Sequence, residues 1–132
     1  MPEEFFGIGS VLQLRTILEN EKPGKIFFVF GKNSYGKSGA EAVISPFLAG
    51  IKVFRFFDFE ENPKIEDIRN GVEQFRSFKP DLVLAVGGGS VLDMAKSINV
   101  LAAQGGDLMD FVLKKKEFVY PPKPIVAIPT TA

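Results

Sequence analysis

What most limits how this chain can fold is the spacing of its short apolar runs. They fall at residues 25–30 (Lys-Ile-Phe-Phe-Val-Phe), 51–57, 82–86 (Leu-Val-Leu-Ala-Val) and 125–128 (Ile-Val-Ala-Ile). Segments with helical spacing lie between them. A strand-length run with no polar alternation needs cover on both faces. Strand and helix in turn therefore predict an α/β fold, a Rossmann-like parallel sheet with helices on both faces. At 132 residues this is a single domain, 1–132.

The helices have recognisable punctuation. Residues 4–9 read as a short strand ending in a glycine turn. Ser10 then caps a helix carrying Val11, Leu14 and Leu18, which Lys22-Pro23-Gly24 stops. A second helix is expected over 39–48, ended by Gly50. Asn62 is placed as an N-cap with Pro63 at the first helical position, followed by a stripe of Ile65, Ile68, Val72 and Phe75. Gly87-Gly88-Gly89-Ser90 leads into a helix over 91–103, with Ser90 as its cap. A short helix is expected over 107–113. Lys114-Lys115-Lys116 reads as a solvated face.

Composition removes whole classes of chemistry. There is no cysteine and no histidine, so disulfides, thiolate sites and imidazole catalysis are excluded. Sixteen basic residues balance sixteen acidic ones, which argues against a general nucleic-acid binder. No apolar stretch is long enough for a membrane helix, and the first residues lack a signal-peptide pattern, so a cytoplasmic location is expected. Fourteen phenylalanines read as core.

In a sheet of this kind ligands bind at the carboxyl ends of the strands. Those ends are residues 31–38, 57–62, 87–90 and 130–131, and most are rich in glycine or hydroxyls. The run Gly87-Gly88-Gly89-Ser90 lets backbone pass close to a ligand and opens a helix whose free N–H groups suit a pyrophosphate. The alternative is a tight turn that only packs closely. Asp93 falls in the expected first turn, either as a dipole or capping-box carboxylate or as a contact to a bound nucleotide. An Asp93–Lys96 surface pair is equally open. Residues 31–38 (Gly-Lys-Asn-Ser-Tyr-Gly-Lys-Ser) match a P-loop, with Lys37 on phosphates and Ser38 on Mg²⁺. The runs at 82–86 and 125–128 are followed by Gly87 and Pro129, not by the aspartate such a site needs, and Phe57-Asp58 is a poor candidate that lies near the first loop.

The run Leu84-Ala85-Val86-Gly87-Gly88-Gly89-Ser90-Val91-Leu92-Asp93-Met94-Ala95-Lys96, then Ala127-Ile128-Pro129-Thr130-Thr131-Ala132, resembles the N-terminal half of the iron-containing (group III) alcohol dehydrogenases. Asn62-Pro63 matches a further short element of that family. The resemblance implies a dinucleotide-binding domain. It puts Gly88, Gly89 and Ser90 on the cofactor pyrophosphate and Asp93 on the cofactor from the following helix. Asn62 would approach the ribose–phosphate region, with Thr130 and Thr131 along the pyrophosphate and nicotinamide side. NAD-preferring members carry an aspartate after the first core strand, where this chain has Gly31, then Asn33, Ser34 and Lys37. A 2′-phosphate suits that loop, so NADP(H) is expected over NAD(H).

The same resemblance implies what is missing. The family's metal is held by one aspartate and three histidines in a C-terminal helical domain, and this sequence ends inside the Pro-Thr-Thr-Ala motif. Iron or another divalent metal is not expected to bind this chain, and hydride transfer is not expected of it alone. The partners implied are a nicotinamide dinucleotide and either a second copy or a complementary C-terminal domain. Two other readings stay open: a non-catalytic nucleotide-binding or assembly module, and a P-loop nucleotide-triphosphate domain built on residues 31–38.

Overall fold

The computed structural model describes residues 3–4, 8–31, 42, 44–57, 59, 64–104 and 120–129. Their order is β1 (Glu3–Glu4), α1 (Ile8–Glu21), β2 (Lys25–Phe30), a 3-10 turn (Ser45–Leu48), β3 (Lys52–Phe56), α2 (Ile65–Phe78), β4 (Leu82–Gly87), α3 (Gly89–Ala103) and β5 (Ile125–Pro129). The five strands form one sheet in the order β1-β5-β4-β2-β3. Every pairing is parallel.

The apolar runs become strands because both of their faces are covered. All six residues of β4 are buried, and so are the last five of β2. Successive side chains of a strand point to opposite faces, so each run feeds two cores. Ile26, Phe28 and Phe30 of β2 join Leu84 and Val86 of β4 under Leu14 and Leu18 of α1 and Leu48 of the 3-10 turn. Phe27 and Val29 join Val83 and Ala85 under Val72 and Phe75 of α2 and Met94 and Ile98 of α3. Helices on both faces are thus as expected. β3 lies at the edge, which is why Lys52 and Arg55 are exposed there.

Several expected boundaries move. α1 begins at Ile8, so Ser10 lies inside it and not at its cap, and the first strand is described at Glu3–Glu4. The expected helix over 39–48 ends in a 3-10 turn with Pro46 near its start, and Gly50 follows at φ +83°. α2 begins at Ile65 with Lys64 as its cap, not at Pro63. Asp67 closes that start by accepting the Lys64 N–H at 2.9 Å. The expected helix over 107–113 and Lys114–Lys116 lie outside the described residues.

The amino edge of the sheet is pinned by side chains. α1 and α2 end alike, with Lys22 and Lys79 in the left-handed region and a proline after each. Between those ends Asp81 accepts the N–H groups of Gly24 and Lys25 at 2.9 and 3.0 Å. Two buried amides hold the approach to β5. Asn99 donates to the Lys123 carbonyl at 2.8 Å and accepts the Lys123 N–H at 3.0 Å. Gln104 donates to the Tyr120 carbonyl at 2.8 Å and accepts its N–H at 3.0 Å. A cavity of about 380 Å³ lies at this edge, between Phe75, Lys79, Asn99 and Lys123. Asn99→Ala removes both of its bonds at a buried position. It is expected to cost about 2 kcal/mol, read as a lower urea midpoint.

Candidate functional site

The strand order fixes where a ligand can sit. From β2 the chain adds β3 on one side and then crosses to β4 on the other. That reversal opens a crevice at the carboxyl ends of β2 and β4, where sheets of this type bind ligands. Phe30 pairs with Val86, so Gly31 and Gly87 follow side by side. Gly87 in turn pairs with Pro129 at the end of β5. Two loops far apart in sequence are thereby joined at one place.

The three glycines after β4 have different jobs. A Cβ on Gly87 would lie 2.8 Å from Val91 Cβ and Cγ2 and 2.9 Å from Cγ1, so close strand–helix packing requires glycine there. Gly88 is the N-cap of α3, with φ −79° and ψ −177°, a conformation open to any residue. A Cβ on Gly89 would meet nothing within 4 Å. Packing inside the chain therefore accounts for Gly87 and leaves Gly89 without a reason of its own.

Among the described residues, the Gly89 and Ser90 amides that open α3 find no acceptor. The Gly88 carbonyl accepts the N–H groups of Val91 and Leu92, both at 3.1 Å. The N–H groups of Gly89 and Ser90 precede the first helical bond. No side chain caps this end, and its first turn holds no acidic residue. Ser90 is thus not the cap that was expected; it is the second helical residue and is exposed. The opposite end of α3 is neutralised by Arg76, whose guanidinium donates to the carbonyls of Leu101, Ala102 and Gln104. The positive end of the helix dipole thus falls at the glycine loop, with no acidic residue in the first turn of α3.

Asp93 is the fifth residue of α3, beyond the first turn, which removes the capping-box reading. It is exposed and has no hydrogen bond or ion pair among the described residues, so it is not paired with Lys96. Gly31 is half-buried at the end of β2. Asn33, Ser34, Lys37, Asn62, Thr130 and Thr131 lie outside the described residues. β4 and β5 end in Gly87 and Pro129, so neither offers the acid that a P-loop site needs. Phe57, expected as the last core residue of its strand, instead follows β3 and is 38% exposed. Nothing local in the sequence sets it apart from the buried phenylalanines.

Comparison with known proteins gives one consistent answer. The family model described as iron-containing alcohol dehydrogenase matches residues 2–132. The long-chain primary alcohol dehydrogenase AdhA of Thermoanaerobacter ethanolicus is 33% identical over 132 residues, covering 96% of this chain and 33% of that protein. The NADPH-dependent aldehyde reductase YqhD of Escherichia coli (strain K12) is 35% identical over 97 residues, covering 74% and 24%. Among solved structures, NADH-dependent butanol dehydrogenase A from Thermotoga maritima superposes with a TM-score of 0.80 at 28% identity. That match covers 94% of this chain and 31% of that one. The chain thus spans about a third or less of the length of these relatives.

Proposed function

The chain belongs to the iron-containing alcohol dehydrogenase family, and we propose that residues 1–132 form a single nucleotide-binding domain that takes NADP(H) in the crevice between β2 and β4. The observation that carries this is Gly89. Among the described residues its missing side chain serves neither packing nor conformation, and it stands at the positive start of α3. A pyrophosphate fits that place: the Gly89 and Ser90 amides donate to it, and the open space beside Gly89 Cα admits it. Ser90 adds a hydroxyl donor. Asp93, exposed three residues on and without a partner among the described residues, is placed to accept from the ligand. By the family's pattern, Asn62 approaches the ribose–phosphate region, and Thr130 and Thr131 line the nicotinamide side.

The preference for the 2′-phosphate rests on Gly31, Asn33, Ser34 and Lys37. Relatives of both preferences exist, so family membership alone does not choose between them. Glycine in place of an aspartate after β2 removes a repulsive carboxylate. Ser34 and Lys37 then supply donors for a dianion.

The family's iron does not fit the donors present. The chain has no histidine, and the described residues hold no group of three or more acidic side chains able to grip a metal. No hydride step is therefore assigned to these residues. Bound nicotinamide supplies hydride chemistry, and this chain's part is to bind and orient it. The alcohol or aldehyde, and the metal that polarises its oxygen, belong in this reading to the remaining length of the family's proteins.

Titration with NADPH and NADH, followed by nucleotide fluorescence, tests both halves of this reading. Saturable binding about tenfold or more tighter for NADPH is expected, the worth of one charge-assisted hydrogen bond. Lys37→Ala should erase that preference and leave NADH binding unchanged. Tighter NADH binding would overturn the 2′-phosphate assignment. If a folded sample bound neither, the nucleotide site itself would be refuted.

A further inference from the structure

Resting on that nucleotide reading, we propose that the exposed ring of Phe57 seats the adenine base of the dinucleotide. β4, β2 and β3 are consecutive neighbours, with Phe30 paired to Val86 and Val29 paired to Phe56. At these carboxyl ends Val86, Phe30 and Phe57 therefore stand level in a row, one residue before Gly87 and Gly31. Two strand spacings, about 10 Å, separate the first from the last. A dinucleotide whose pyrophosphate sits at the start of α3, and whose adenosine half runs outward along this row, carries its ribose past Gly31. Its base then arrives at the end of β3.

Phe57 occupies that end. It is the only exposed phenylalanine among the described residues. Its ring lies nearly parallel to that of Phe30, with centroids 5.0 Å apart and planes 15° apart. Phe30 is buried and leans on the fully buried Phe28, with centroids 4.7 Å apart. One side of the Phe57 ring is thus held by an aromatic stack rooted in the core. A ring fixed in this way offers a flat apolar surface at little entropic cost. Every nucleobase has a π-face that such a surface can take.

The chain has no tryptophan, so Phe57→Trp installs a single reporter. Its emission is expected to be quenched as NADP⁺ saturates, and equally by 2′,5′-ADP, which carries the adenosine half alone. Oxidised nicotinamide mononucleotide, which lacks adenine and does not absorb the reporter's emission, should leave it unchanged. Phe57→Ala should weaken 2′,5′-ADP binding about tenfold or more, with Phe57→Leu as a folding control of similar bulk. Equal binding of 2′,5′-ADP by the parent chain and Phe57→Ala, with no quenching of the reporter, would remove the base from Phe57 and leave the nucleotide reading standing. Failure of the parent chain to bind NADPH or 2′,5′-ADP would remove both.

Discussion

Gly89→Val is expected to fold as the parent chain does and to bind NADPH about a hundredfold more weakly, or worse. The position separates folding from binding. A Cβ there meets no atom of the described residues within 4 Å, so the added methyls enter space that the described fold does not use. A pyrophosphate laid against the first turn of α3 uses that same space. Pushed outward, it loses the short bonds from the Gly89 and Ser90 amides. Hydrogen bonds to charged groups are worth roughly 1.5–3 kcal/mol each, and 1.4 kcal/mol is tenfold, so two lost bonds give about a hundredfold. Gly89→Ala is a graded form of the experiment. Alanine costs less than glycine in a helix, so its urea midpoint should hold or rise while affinity falls. Parental affinity in the valine variant, with parental stability, would show that nothing approaches the chain at Gly89.

Gly87→Ala should behave in the opposite way. Here the new Cβ would lie 2.8 Å from Val91 Cβ, which is fixed to the helix backbone and cannot swing aside. Either α3 lifts from β4 or the strand end bends. Overpacking of this kind costs about 1–3 kcal/mol, and the clash with a backbone-fixed atom places this case at the upper end. The measurement is a urea midpoint, with Gly87→Ala/Val91→Ala as the second arm. Removing the two Val91 methyls relieves the contacts at 2.8 and 2.9 Å to Cγ2 and Cγ1 but not the one to Cβ. The double variant should therefore recover part of the loss relative to Val91→Ala alone, a coupling that a double-mutant cycle resolves. No destabilisation by Gly87→Ala would mean that the strand–helix junction is looser than its geometry.

The strands were legible because their cover is total. Residues 25–30 and 82–86 have no polar face, and only a sheet covered on both sides buries such runs. Helix starts were less legible, because the capping rules used to find them look for side chains. α3 starts from Gly88 with no side-chain cap, one residue pair ahead of where Ser90 placed it. α2 starts from Lys64, with Asp67 doing the closing from inside the helix. The adjacency of Gly31 and Gly87 was not legible at all. It is a property of strand order, settled when β4 docks on the far side of β2 from β3. The buried amides Asn99 and Gln104 escaped notice for a similar reason. Their partners at Lys123 and Tyr120 are brought to them by the fold, and no local pattern announces such pairs.

The two edges of the sheet carry different kinds of constraint. Asp81, Asn99 and Gln104 tie down the amino edge. The glycine loop, Gly31 and Phe57 stand at the carboxyl edge. A mutation at one edge therefore leaves the bonds of the other intact. On the proposed nucleotide reading, cofactor preference can thus change around Gly31 without a compensating repair at Asp81, Asn99 or Gln104. On that reading, a domain built on this plan can vary the nucleotide it takes while inheriting one unaltered clasp at its amino edge.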